Sequence, residues 1–144
     1  MKDLTFGIKA TSENSTKTVV KARNFTMVID EPKNMGGTDD GANPVEYLIG
    51  ALAGCMNVVC HLVAKEMGFT LRSVSIDIEG DLNPMKFMGK SDEDRTGYKI
   101  IRVTIDADTD ADQETLNQWI KEVEKRCPVS DNLQNPTPIE ISLK

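Results

Sequence analysis

The chain of 144 residues is poor in histidine, tryptophan and cysteine, and it contains no run of basic residues. It has one histidine, one tryptophan and three cysteines, with 17 Lys and Arg against 23 Asp and Glu. The formal net charge is therefore -6 and the sequence pI is about 4.8. An acidic chain without a basic patch is not expected to bind nucleic acid or an anionic membrane surface.

The chain also lacks a long apolar segment. Residues 1–11, MKDLTFGIKAT, alternate apolar and polar side chains and contain no apolar core of the kind that marks a secretory signal. The longest run without Asp, Glu, Lys, Arg or His, residues 47–60, is shorter than the roughly 20 residues that cross a bilayer. We therefore expect a cytoplasmic protein without a membrane partner, whose three cysteines are thiols at rest.

Motifs for metals and nucleotide cofactors are missing as well. Cys60 and His61 are adjacent, so their side chains point apart on a helix, and no CxxC or HxxxH spacing occurs. There is no glycine-rich phosphate loop, dinucleotide fingerprint or G-x-S-x-G motif. We expect neither a metal nor a cofactor.

The pattern of apolar residues predicts an α+β protein with the order ββ-α-ββ-α-β. Adjacent strands in sequence favour antiparallel pairing, and no linker or repeat divides the chain, so we predict a single domain over residues 1–144. The predicted strands are residues 3–10, 17–29, 71–80, 97–108 and 138–143, and the predicted helices are residues 44–67 and 112–126.

The central helix is the most informative element. Asn43 is a favourable N-cap, Pro44 fits the first helical position, and Gly68 is a usual C-terminal residue. The helix is apolar on all sides, which requires burial on all sides, and Gly50 and Gly54 leave room for another backbone. We predict a homodimer in which this helix is buried between two chains.

Each thiol has a structural and a chemical interpretation. Buried cysteines are often inert core residues, and a cysteine in the middle of a helix gains little from the helix dipole. Cys55 and Cys60 lie about 140° apart around the helix, so they do not face each other. Cys127 continues the apolar stripe of the second helix inward and precedes Pro128, which can open a new helix. For Cys127, inert core and redox thiol remain equally open.

Two segments carry a family resemblance. Residues 43–56, NPVEYLIGALAGCM, and residues 127–133, CPVSDNL, resemble the OsmC/Ohr superfamily of osmotically inducible and organic-hydroperoxide-resistance proteins. The resemblance implies the OsmC-like fold, an intertwined homodimer and a peroxidase that uses thiols without metal or haem. It also implies that Cys55 attacks an organic hydroperoxide, that Cys127 forms a disulfide with it, and that a dithiol reductant reopens the disulfide.

The same resemblance implies a cation beside the reactive thiol. Peroxidases of this family use an Arg held by a Glu that directly follows the Asn-Pro pair, but this chain has Val45 there. Glu46 is the nearest candidate, although it also fits a capping box with Asn43. Arg23, predicted on the second strand, is our candidate for the cation, and Arg126 is the second choice. A surface salt bridge is the alternative role for Arg23.

Two functions therefore remain open. The first is an organic hydroperoxide reductase, which the cysteines at both family positions favour. The second is a dimer that binds a small apolar or thiol-bearing ligand at its interface, which the valine after Asn-Pro favours. A titration of the Cys55 thiol would separate them, because catalysis requires a thiolate near neutral pH.

Overall fold

The computed structural model describes all 144 residues and confirms an α+β fold with antiparallel sheets. Contacts within the chain group into two units, Met1–Leu48 and Ile49–Lys144. The strands are β1 Lys9–Ser12, β2 Thr18–Ala22, β3 Phe25–Ile29, β4 Leu71–Asp81 and β5 Ile100–Thr109. The helices are α1 Pro44–Met67, α2 Gln113–Arg126 and α3 Pro128–Gln134, with a short 3-10 turn at Lys33–Met35.

The first unit contains an antiparallel sheet in the order β1-β2-β3. The predicted hairpin is present, but the second predicted strand, residues 17–29, is interrupted by a turn. Ala22 pairs with Phe25, so Arg23 and Asn24 form a two-residue connection in which Arg23 has a φ of 57°. The prediction that Arg23 lies on a strand is wrong, because a positive φ at this position reverses the chain.

Asp30 organises the loop that leads from β3 to α1. Its carboxylate is fully buried and accepts hydrogen bonds from the hydroxyls of Thr16 and Thr38 and from the backbone N–H groups of Glu31 and Asp40. Led by the Thr38 hydroxyl, these donors hold the pKa of Asp30 well below its usual range. The loop between β3 and α1 is rich in glycine and has few apolar residues, so its conformation is fixed mainly by the hydrogen bonds to the Asp30 carboxylate.

The second unit is built around the β4-β5 hairpin. Its strands pair in antiparallel register from Leu71 opposite Thr109 to Asp81 opposite Ile100. Helix α2 begins where the Asp112 side chain accepts a hydrogen bond from the Thr115 N–H. The core consists of buried side chains from α1 and α2 and the junction after α2, namely Leu52, Met56, Val59, Cys60, Val63, Ala64, Trp119, Val123 and Cys127.

Helix α1 has a buried side and an exposed apolar side. Leu48, Val58 and Leu62 are 41%, 64% and 45% exposed in the single chain. The helix is long and apolar enough to cross a membrane by length and composition alone, a property that core helices of soluble proteins share. An exposed face of this size is unusual for an isolated globular chain.

Both ends of the chain leave alternating apolar residues uncovered. The strand predicted at residues 138–143 is not formed, and Ile139, Ile141 and Leu143 are more than 80% exposed. The first strand begins at Lys9 rather than at residue 3, which leaves Leu4 and Phe6 exposed. Alternating apolar and polar residues are typical of a strand, but a strand forms only when it can hydrogen-bond to another strand. Neither terminal segment has such a partner strand within the chain.

Candidate active site: a two-cysteine pair

Cys55 and Cys127 lie together. Their Sγ atoms are 3.1 Å apart, although the residues are 72 positions apart in the sequence. Both are free thiols. A disulfide has an S–S length of about 2.05 Å, so closure requires a movement of roughly 1 Å. The pair predicted from the sequence is therefore brought to a single site.

The end of α2 places Cys127 at this site. Cys127 is extended, with φ of -83° and ψ of 110°, and it separates α2 from α3. Pro128 at the start of α3 confirms the predicted new helix, and the Cys127 carbonyl accepts a hydrogen bond from the Asp131 N–H. The residue is only 1% exposed, which confirms that its side chain points inward.

Burial distinguishes the three thiols. Burial raises the pKa of the Cys127 thiol, and the N–H of Ser130 opposes that shift. Burial also raises the pKa of Cys60 to about 11, with a smaller contribution from the neighbouring Cys127. Both groups therefore remain protonated at neutral pH. Cys55 is partly exposed and is the least buried of the three thiols.

Cys60 belongs to the core, as the sequence suggested. It has no exposed surface, and its backbone carbonyl accepts a hydrogen bond of 2.9 Å from the indole N–H of Trp119. This bond joins α1 to α2 at a position five residues after Cys55 on α1. Cys60 therefore helps to fix the two helices on which the pair depends.

Glu46 forms the capping box. The Asn43 N–H donates to Glu46 Oε2 at 2.8 Å, and the Glu46 N–H donates to Asn43 Oδ1 at 2.9 Å. These reciprocal bonds satisfy backbone donors at the start of α1. Of the two roles considered for Glu46, its side chain performs the capping role in this structure.

The two candidate cations have different surroundings. The Arg23 guanidinium lies 5.0 Å from the centre of the Phe25 ring and has no carboxylate partner. Arg126 instead binds the carboxylate of Glu66 through both terminal nitrogens. Sequence reasoning missed Glu66, because no local spacing relates residues that are 60 positions apart.

A groove of about 400 Å³ lies beside α2 and β5. Its apolar lining includes Met56, Ile105 and Trp119, and its polar lining includes Asp106 and Glu124. None of the three cysteines lines the groove. The thiol pair and the groove are therefore separate features of the second unit.

The family model described as OsmC-like protein matches residues 37–142, a range that contains both Cys55 and Cys127. The chain belongs to the OsmC-like family. It is 26% identical over 147 residues to the uncharacterized protein YmaD of Bacillus subtilis strain 168, covering 98% of this chain and 94% of that protein. This agrees with the resemblance seen in the sequence.

Solved structures have the same fold. An OsmC-like protein from Mycoplasma pneumoniae has a TM-score of 0.80 at 21% identity, covering 92% of this chain and 89% of that one. An organic hydroperoxide resistance protein from Elizabethkingia anophelis has a TM-score of 0.66 at 23% identity, covering 91% and 89%. At these identities the likeness concerns the fold.

Proposed function

We propose that this OsmC-like protein is a thiol-dependent peroxidase that reduces organic hydroperoxides to alcohols. The observation that carries the proposal is the 3.1 Å separation of Cys55 Sγ and Cys127 Sγ, one accessible and one buried. A structural relative named for organic hydroperoxide resistance supports the substrate class. The substrate carries an apolar group, consistent with the apolar helix that contains Cys55.

In the first step, the Cys55 thiolate attacks the distal oxygen of ROOH. A sulfur–oxygen bond forms, the oxygen–oxygen bond breaks, and the departing alkoxide takes a proton to become ROH. The sulfur is oxidised by two electrons to a sulfenic acid. Cys55 is assigned this step because it is the partly exposed thiol of the three, whereas burial raises the pKa of Cys127 and of Cys60.

In the second step, the Cys127 sulfur attacks the sulfenic sulfur of Cys55. The disulfide forms, the sulfur–oxygen bond breaks, and the hydroxyl leaves as water with the proton that the Cys127 thiol gives up. A dithiol reductant then restores both thiols by exchange, becoming a disulfide itself. The 3.1 Å approach leaves the two Sγ atoms about 1 Å to close before they reach disulfide length.

A cation is required to stabilise the Cys55 thiolate. Arg126 is bound by Glu66, which lies about three helical turns after Cys55 on α1, so this ion pair is not beside the reactive thiol. Arg23 has no carboxylate partner and lies in a turn with a positive φ, a backbone conformation that non-glycine residues adopt with strain. Because the family resemblance implies an arginine beside the reactive thiol, and the charge of Arg23 has no carboxylate partner, we retain Arg23 as the proposed activating residue.

We also propose that the working protein is a homodimer. The exposed apolar face of α1, with Val58 and Leu62, borders Cys55 and requires a cover. Nothing meets a Cβ added at Gly50 or Gly54, so the helix surface there is open to a second backbone. The unpaired apolar segments at both termini provide further surface for a second copy.

The proposal is tested by following the loss of cumene hydroperoxide with dithiothreitol as reductant. We expect turnover by the parent protein and by Cys60→Ala, and none by Cys55→Ser. Cys60→Ala is the matched control because it removes a thiol from the same helix. Equal turnover by Cys55→Ser and the parent protein would refute the assignment.

The groove beside α2 favours a second candidate function, the binding of a small apolar ligand. Its apolar lining, together with the carboxylates of Asp106 and Glu124, fits a protonated amine with an apolar body. Saturable binding of 1-naphthylmethylamine, whose alkylammonium group is protonated at neutral pH, would support this function instead if it is lost in Ile120→Asp and peroxide turnover is absent. Ile120 lines the groove, and the change replaces neither Cys55 nor Cys127.

A further inference from the structure

The Glu66–Arg126 ion pair connects the two segments that carry the reactive thiols. Glu66 lies near the end of α1, the helix that contains Cys55. Arg126 is the last residue of α2 and directly precedes Cys127. The Arg126 Nη2 atom lies 3.1 Å from Glu66 Oε1, and Nη1 binds the other carboxylate oxygen.

The geometry of this pair restrains orientation as well as distance. Two parallel N–H···O bonds between a guanidinium and a carboxylate fix the plane of the guanidinium. The Arg126 and Glu66 side chains are 34% and 49% exposed, and ion pairs of such exposure contribute little to global stability. A local effect on the neighbouring Cys127 is therefore separable from an effect on folding.

We propose that Glu66 and Arg126 are positioning residues for the second chemical step. The pair holds the end of α2 on α1 and thereby keeps Cys127 Sγ within reach of Cys55 Sγ. It acts through the backbone at residues 126–127, since the guanidinium is occupied by the carboxylate. The peroxide part of this inference rests on the proposed function, whereas the formation of the disulfide can be measured independently.

The consequence concerns the lifetime of the sulfenic acid. If Cys127 is held less firmly, it samples positions far from Cys55 and closes the disulfide more slowly. The sulfenic acid then persists, and a second peroxide molecule can oxidise it to the sulfinic acid. The first step, attack by Cys55 on the peroxide, does not involve Cys127 and keeps its rate.

The experiment compares Arg126→Gln, Glu66→Gln and the charge-exchanged variant Glu66→Arg/Arg126→Glu. The control is Arg102→Gln, which breaks a similar exposed clamp, from Arg102 to Asp81, in the same unit. Equilibration with reduced and oxidised glutathione gives the equilibrium constant of the Cys55–Cys127 disulfide. We expect at least a threefold decrease in both single variants, partial recovery on charge exchange, and no change in the control.

Rapid mixing with cumene hydroperoxide gives the second readout. We expect an unchanged rate of sulfenic acid formation, slower disulfide formation and more sulfinic acid in the single variants. Glu66→Gln preserves side-chain size and keeps the test valid if Arg126→Gln does not fold. An unchanged glutathione equilibrium in Glu66→Gln, or no Cys55–Cys127 disulfide in the parent protein, would overturn the inference. A parent protein that forms this disulfide with glutathione but ignores peroxide would refute the proposed function alone.

Discussion

The indole N–H of Trp119 donates a 2.9 Å hydrogen bond to the carbonyl oxygen of Cys60. Trp119 is 3% exposed and makes an edge-to-face contact with Phe69, with ring centres 5.9 Å apart. This one residue on α2 therefore contacts the helix that carries Cys55. The thiol pair depends on the packing of these two helices.

We predict that Trp119→Phe destabilises the protein by about 2–4 kcal/mol. The change removes the hydrogen bond to Cys60 and leaves unfilled volume in the core. Urea unfolding followed by circular dichroism measures the loss. The matched control is Gln118→Ala on the exposed side of α2. We expect this change to lower the free energy of unfolding by less than about 0.5 kcal/mol. Equal midpoints for the two variants would contradict the assigned role of Trp119.

We predict that the buried Asp30 carboxylate makes the free energy of unfolding decrease at acid pH. Its pKa in the folded protein is lowered, chiefly by the Thr38 hydroxyl, so the ionised carboxylate stabilises the folded state at pH values above its unfolded pKa. That stabilisation is lost progressively as the pH falls below about 5. We expect Asp30→Asn to lower the urea midpoint at pH 7 and to reduce the difference between pH 7 and pH 2, because most of the loss falls between the unfolded pKa and the lowered folded pKa.

The control for this prediction is Asp77→Asn, because Asp77 is an exposed carboxylate on β4. Its variant should retain the parent dependence of the urea midpoint on pH. If Asp30→Asn and Asp77→Asn show the same dependence, Asp30 is not the source of the acid sensitivity.

Arg23 is predicted to govern the pH profile of the peroxide reaction. If its guanidinium stabilises the Cys55 thiolate, Arg23→Gln should lower the rate at pH 7 by about tenfold or more and shift the half-maximal rate to higher pH. Lys21→Gln, a charge removal on the adjacent strand β2, is the control. A uniform decrease at all pH values would indicate an effect on substrate binding rather than on the thiolate.

The homodimer is tested at the exposed face of α1. Val58 is 64% exposed in the single chain, so the carboxylate introduced by Val58→Asp lies outside the hydrophobic core of that chain. We expect the parent protein to sediment as a dimer and Val58→Asp to sediment as a monomer with reduced peroxide turnover. Gln118→Asp, on the exposed side of α2, should remain dimeric. Monomeric parent protein at micromolar concentration would contradict the dimer.

Local signals in the sequence predicted much of the helical structure. The N-cap Asn43, the first-turn Pro44 and Gly68, with its positive φ of 78°, delimit α1 through interactions within a few residues. The apolar stripe of α2 similarly indicated that Cys127 points inward. These features depend on short-range geometry, which a sequence pattern records directly.

The missed features depend on contacts between distant residues. The buried Asp30 carboxylate gathers donors from Thr16 through Asp40, and Glu66 meets Arg126 only after two helices pack. The turn at Arg23 was missed because a positive φ is usually assigned to glycine or asparagine. The alternation at Ile139 and Ile141 identified residues suited to a strand but not the strand that would pair with them.

The most direct test of the account is mass spectrometry with peptide mapping of the reduced protein after one equivalent of cumene hydroperoxide. We predict rapid formation of a Cys55–Cys127 disulfide, with Cys60 remaining a free thiol. Three free thiols, under conditions in which a known thiol peroxidase is fully oxidised, would contradict the peroxidase function.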